Sequence, residues 1–332
     1  MVEIIELITF VAIVLYILFG GADYGAGILG LFKSKAFGSA HDETIDKAIG
    51  PVWEANHIWL ILVVVIFFNG FPAFYTTIST YLHIPVVALL VGIITRGASF
   101  TMRHYDVFPH KPTRLYESSF SFGSLWAAIW LGVIAGACML GKISPNAGTF
   151  YGLYVAPWWN AFSFSVGFFT AAVFTFLAAT FLIGESQEAE LKKYFMKRAW
   201  IANVAVVVLG AVVFVVAEKQ GFPLLRMFLQ NKGSVTMGVV ATILWVVQSS
   251  LRHRLNVFLS RATAAGQIVC VLLGFLFVAH PTIISTTAGP LTFANTAAPA
   301  ATLYQLLVAL PVGLIVSLPS LGVLVWVFKY RR

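Results

Sequence analysis

Few side chains in this sequence set an ionisable group within an apolar surround, and they fall in three short blocks. The first is Gly20-Gly21-Ala22-Asp23-Tyr24-Gly25-Ala26-Gly27, where a carboxylate interrupts a run of small residues. The second is Gly50-Pro51-Val52-Trp53-Glu54-Ala55-Asn56-His57-Ile58-Trp59-Leu60; the third is Arg96, with Phe100-Thr101-Met102-Arg103 close behind. A charge inside an apolar span costs about 2.5–3.5 kcal/mol on insertion scales, so each such residue is a candidate for function. Around Asp23 the glycines bare the backbone, which lets a neighbouring helix, a lipid head group or a cofactor approach closely. Two readings stay open there: small-residue helix packing with Asp23 satisfied by a Ser, Arg or backbone donor, or a proton or partner-binding role.

The second block has the chemistry of a proton relay. Pro51 suits a helix N-terminus, where its missing N–H is not needed, and a carboxylate one turn in gains from the helix dipole. At about 100° per residue, Trp53, Asn56, His57 and Leu60 share an arc of about 100°, with Glu54 about 60° beyond His57. A partly dehydrated glutamate has a raised proton affinity, and a histidine three residues on could share or pass the proton. The competing reading is a structural salt bridge, most simply Glu54 with Arg96 at the same ends of adjacent antiparallel helices.

The elements that must position these groups follow from composition. Of 332 residues, 59% are hydrophobic and only 10% are Asp, Glu, Lys or Arg, against about 25% charged in a soluble domain. That excludes a soluble globular enzyme, a disordered tail and a nucleic-acid-binding domain; the chain reads as an all-α integral membrane protein. A hydrocarbon core about 30 Å thick needs roughly 20 helical residues, which draws nine spans: 7–31, 51–71, 77–100, 117–139, 159–183, 195–217, 235–253, 262–281 and 303–328. The seventh is the most dilute, through Gln248, Ser249 and Ser250. The connections are short, so residues 1–332 are expected to form a single transmembrane domain.

Basic residues orient the spans. With the N-terminus outside, the inner side holds Lys33, Lys35, Lys47, Arg96, Arg103, Lys111, Arg114, Lys192, Lys193, Lys197, Arg198, Arg252, Arg254, Arg261, Lys329, Arg331 and Arg332; only Lys142, Lys219, Arg226 and Lys232 fall outside. The expectation is therefore N-out and C-in. The net charge of +8 reports topology, and no nucleic-acid partner is expected. Glu3 and Glu6 stand where a signal peptide carries positive charge, so the first span is expected to stay in the mature protein. Outer loops 71–76 and 282–302 lack Lys and Arg, and the latter reads as a polar linker. Cys138 and Cys270 read as small packing residues. His57, His83 and His280 are too few and scattered to argue a haem site, and no nucleotide or zinc-protease fingerprint occurs.

The string Gly21-Ala-Asp-Tyr-Gly-Ala-Gly-Ile-Leu29, then Ile49-Gly-Pro-Val-Trp-Glu-Ala-Asn-His-Ile-Trp-Leu60, then Arg96 to Arg103, resembles subunit II of the cytochrome bd quinol oxidases. Asn160-Ala-Phe162 and Pro281-Thr-Ile283 are weaker echoes, and the specific match lies in about the first 105 residues. The resemblance implies two four-helix bundles plus one extra helix, in the bacterial or archaeal cell membrane. It implies a haem-bearing partner, subunit I, with two b-type haems, a d-type haem and the quinol site, and allows small accessory subunits. Quinol and lipid are further partners; this chain is expected to bind no haem or metal through its own ligands, and alone is not expected to be catalytic. The complex would oxidise quinol and reduce oxygen to water with protons drawn from the cytoplasm.

In that family the acid of the W-[DE]-x-N motif is implicated in a proton path, and here it is Glu54; the proton-path candidates are Glu54, His57 and Asp23. Trp59 looks like the tryptophan near an oxygen route or partner contact, while Arg96, Arg103, Asn56 and Trp53 read as motif and charge-pairing positions. Many members have Gln at His57. Some also carry an acid between the aromatic and the second Arg, where this chain has Thr101-Met102; Asp106 lies close by and could substitute. A secondary transporter with an intramembrane Asp/Glu/His/Arg site is the alternative, but spans 1–4 and 5–8 show no convincing repeat.

Overall fold

The computed structural model describes residues 1–33, 37–50, 53–105, 112–251 and 256–330. Among the described residues nine helices are long and apolar enough to cross a membrane: α1 (Val2–Gly30), α2 (Trp53–Gly70), α3 (His83–Tyr105), α4 (Pro112–Met139), α5 (Ala161–Glu185), α6 (Ala189–Lys219), α7 (Lys232–Leu251), α8 (Val257–Ala279) and α9 (Ala300–Tyr330). In lipid every backbone polar group must be satisfied within the protein, so these valine- and phenylalanine-rich runs become helices despite their β propensity. Asn160 caps α5 by accepting from the Ser163 N–H at 2.9 Å. The dilute end of α7 stays helical because Ser249 and Ser250 hydroxyls donate to carbonyls one turn back, while Gln248 pairs with Thr263 of α8.

Three features depart from the sequence expectation. Residues 77–81 belong to a separate helix, Pro72–Tyr81, started by Pro72; the backbone leaves helical geometry at Leu82 (φ −114°, ψ 22°), so α3 begins at His83. Pro51 lies outside the described residues, and α2 tightens at His57, whose N–H donates to the Glu54 carbonyl three residues back at 3.2 Å. The loop 282–302 is no mere linker. Its β-branched run Thr282–Thr286 forms β1, paired antiparallel with β2 (Gly289–Thr292). Gly289, at φ 134°, makes the turn that a side chain would resist. Thr286 bridges to Ile143, and Phe293 packs on Phe71 at 4.7 Å, so the hairpin ties the ends of α2 and α4.

The core runs through α4 and α5. Helix α3 lies along α4, α4 along α5 and α5 along α6; α7 pairs with α8, which also touches α5, and α9 leans on α2. The second half of α1, Gly21–Gly30, wedges between α4 and α5. Its glycines are there for helix packing: a Cβ at Gly25 would overlap the Phe174 carbonyl, and Cβ atoms at Gly27 and Gly30 would overlap the hydroxyls of Ser124 and Ser121. Gly25→Ala is therefore expected to cost about 1–3 kcal/mol through overpacking. A lowered thermal midpoint of the assembled protein would register it, with Gly38→Ala, which faces open space, as the unaffected control.

Candidate functional site

A π-helical turn at Tyr16–Gly20 interrupts α1 just before Asp23. Such turns are frequent at functional sites, and the extra residue turns the following side chains onto a new face. Here the turn leaves the Tyr16 and Tyr24 hydroxyls 3.0 Å apart and carries Asp23 to α3. Asp23 and Arg96 are 3% and 1% exposed, with Asp23 Oδ2 3.4 Å from Arg96 Nη2. The Arg96 guanidinium lies 4.4 Å above the Tyr24 ring centre and 5.4 Å from that of Phe120, so its charge is held partly by aromatic faces. Tyr24 stacks on Phe174 at 5.8 Å and meets the His57 ring edge-on at 6.2 Å. Asn56 Nδ2 sits 3.5 Å from the Phe19 carbonyl, bringing the amide of α2 against α1.

At 3.4 Å the pair is longer than a good charge-assisted hydrogen bond. Both carboxylate oxygens of Asp23 and all three guanidinium nitrogens of Arg96 are buried without a hydrogen-bond partner among the described residues. A closed structural salt bridge would satisfy these atoms with protein groups. The pair is held by its own charge and by the aromatic faces of Tyr24 and Phe120.

The sequence-nominated residues divide accordingly. Asp23, Asn56, His57 and Arg96 converge on this site. Trp53 instead packs 5.3 Å from Phe100 of α3, and Arg103 pairs with Asp46 of the helix Gly38–Ile49. The competing reading, a Glu54–Arg96 pair, is not what the structure forms: Arg96 pairs with Asp23, while Glu54 points to the exposed side of α2 and makes no ion pair among the described residues. Trp59 is buried in the chain's own core rather than offered at its surface. Asp106 lies outside the described residues. Sequence reasoning missed Tyr16, Phe120 and the polar clasp below; of the site's additional members only Tyr24 stood inside a motif.

At the basic end of the bundle, Lys33 Nζ reaches Asp42 at 2.8 Å and Glu117 at 2.7 Å, linking α1, the helix Gly38–Ile49 and α4. His41, fully buried and stacked 5.5 Å from Phe195, places Nδ1 3.2 Å from Asp42. Burial alone would raise the Asp42 pKa, but the hydrogen bonds from His41 and Lys33 hold it below the usual carboxylate value. For Lys33, burial would lower the pKa, and the two carboxylates lift it instead. Arg198 also donates to the Phe32 carbonyl at 2.6 Å, tying α6 to the end of α1.

Among the described residues, nine apolar helices and a buried carboxylate–guanidinium site built from α1, α2 and α3 define a multi-pass membrane protein. The chain belongs to the cytochrome bd terminal oxidase subunit II family, matching it over residues 1–328. Cytochrome bd ubiquinol oxidase subunit 2 of Bacillus subtilis (strain 168) is 31% identical over 118 residues, which are 34% of this chain and 33% of that relative, so the alignment spans about a third of each. A solved structure of bd oxidase from Geobacillus thermodenitrificans matches with a TM-score of 0.79 at 18% identity, covering 100% of this chain and 99% of the chain compared. At that identity the likeness is one of fold.

Proposed function

We propose that this chain is the haem-free subunit II of a cytochrome bd-type quinol oxidase, that its basic end faces the cytoplasm, and that it braces subunit I while carrying protons toward the haems. The observation that carries the proton role is the convergence of Asp23, Asn56, His57 and Arg96, from three helices, on one buried polar site. Haem would supply electron transfer and oxygen binding, and the three described histidines nearest membrane depth are each engaged with protein groups. His57 packs against Tyr24, His83 Nδ1 lies 2.9 Å from the Thr80 carbonyl, and His280 lies 3.4 Å from Glu6. The haems and the quinol site are assigned to subunit I, as the family resemblance implies.

In this reading Glu54 gathers protons on the exposed side of α2, with His57 and Asp23 behind it, and residues 1–332 act as one transmembrane domain. Family membership favours it over a secondary transporter. The test is purification of the tagged chain from its native membrane. Expected are a haem-bearing companion in the reduced-minus-oxidised spectrum and quinol-dependent oxygen uptake by the preparation. Isolation without haem, from membranes that lack such uptake, would overturn the assignment.

A further inference from the structure

A pocket of about 220 Å³ opens at the basic end between α1, the helix Gly38–Ile49, α3 and α4. Its mouth carries Lys33, Asp42 and Glu117, all partly exposed, and its wall includes Arg103, which is bound to Asp46. Two carboxylates and two cations line it, so its wall is polar and balanced in charge. At roughly 30 Å³ per water molecule the pocket has room for about seven waters. Phe120, which also lines it, has its ring 5.8 Å from the Arg103 guanidinium and 5.4 Å from that of Arg96. The same ring thus touches the pocket on one side and the buried Asp23–Arg96 site on the other. Gly30 and Ala26 line the pocket on α1, and Asp23 is one turn above Ala26, about 4.5 Å along the axis at 1.5 Å per residue.

We propose that this pocket is a water vestibule through which protons enter toward Asp23 and Arg96, with Phe120 as its constriction. This rests on the proton role proposed above and adds a second mouth, separate from Glu54. An apolar ring between a hydrated pocket and a buried polar site limits passage by dewetting, and a proton leaving vestibule water would be accepted by the Asp23 carboxylate. The charged side chains of Lys33, Asp42 and Glu117 keep the mouth hydrated.

The test introduces Ser118→Cys, a lining position that is exposed, into the complete oxidase complex held in nanodiscs. The assembled complex is then labelled with thiosulfonate reagents, so folding precedes any obstruction. The complex without the substitution gives the background from Cys138 and Cys270, and Glu188→Cys, exposed on the same end, is the control. Expected is that a trimethylammonium-ethyl adduct at position 118 slows quinol-driven oxygen uptake at least threefold relative to unlabelled Ser118→Cys. The solvent deuterium isotope effect should rise with the haem spectrum unchanged, and a methyl-sized adduct should leave the rate within about 1.5-fold. A Ser118→Cys site that cannot be labelled, or one fully labelled without loss of rate, overturns the vestibule. Asp23→Asn and Glu54→Gln are run alongside. If they turn over slowly while labelled Ser118→Cys does not, only the vestibule falls; if both keep the unsubstituted rate, the proton role itself falls.

Discussion

Replacing Arg96 by leucine is expected to abolish accumulation of the assembled complex, or to lower its thermal midpoint more than any other substitution in this region. The side chain is 1% exposed and its only ion-pair partner among the described residues is Asp23, itself 3% exposed. Removing one member of a buried pair costs about 3–5 kcal/mol, because the other charge is left without compensation. The cation–π contacts with Tyr24 and Phe120 go as well. The double variant Asp23→Leu/Arg96→Leu discriminates. Replacing both members of a buried pair with apolar residues is often neutral for stability, so the double variant should recover yield and thermal midpoint relative to Arg96→Leu alone. If it assembles no better, the two side chains are not energetically coupled. Oxygen uptake by a recovered double variant then reads what the pair contributes to turnover once its structural cost has been removed.

How much of this was legible in the sequence depends on what each inference assumed. Nine spans were readable because a 20-residue apolar window is set by bilayer thickness and little else. The boundary at His83 was not, since a turn at Leu82 between two apolar helices leaves no gap in hydropathy. The hairpin was missed although Thr282-Ile-Ile-Ser-Thr286 is β-branched and Gly289 follows, because hydropathy sees only a polar loop. The glycines of α1 announced close approach but not what would approach, and Phe174, Ser121 and Ser124 supply that answer from distant parts of the chain.

The site shows the same division with more consequence. That Asp23, Asn56, His57 and Arg96 are polar groups within apolar spans was legible, because the cost of placing charge at depth is independent of fold. Their pairing was not, since a helical wheel assumes a constant 100° per residue. The π turn at Tyr16–Gly20 shifts the phase of Asp23, and the tight turn at His57 breaks the phase between Glu54 and the rest of α2. Asp23 thereby reaches Arg96, and Glu54 is left on the outer side of the bundle. The clasp of Lys33, Asp42 and Glu117 was beyond reach altogether, because its members are 84 residues apart at their widest and lie in no motif.

That separation decides how Glu54 should respond to substitution. Glu54 is exposed in this chain and holds no ion pair among the described residues, so Glu54→Gln leaves no buried charge without compensation. Assembly and the haem spectrum should be unchanged, in contrast to Arg96→Leu. Glutamine keeps the volume and the hydrogen-bonding reach of the side chain but cannot carry a proton. A positioned proton-transfer group typically contributes 10²–10⁴-fold to rate, and a second entry through the vestibule would soften its loss. The expected result is therefore a fall in quinol-driven oxygen uptake of about tenfold, with the charge movement across reconstituted vesicles falling in parallel. His57→Gln, which replaces the imidazole by an uncharged amide, should stay within about twofold. A fall in His57→Gln equal to that in Glu54→Gln would make the imidazole an obligatory member of the path. Unchanged turnover in Glu54→Gln would remove the carboxylate from the path and leave Asp23 as the acid on which proton delivery through this chain depends.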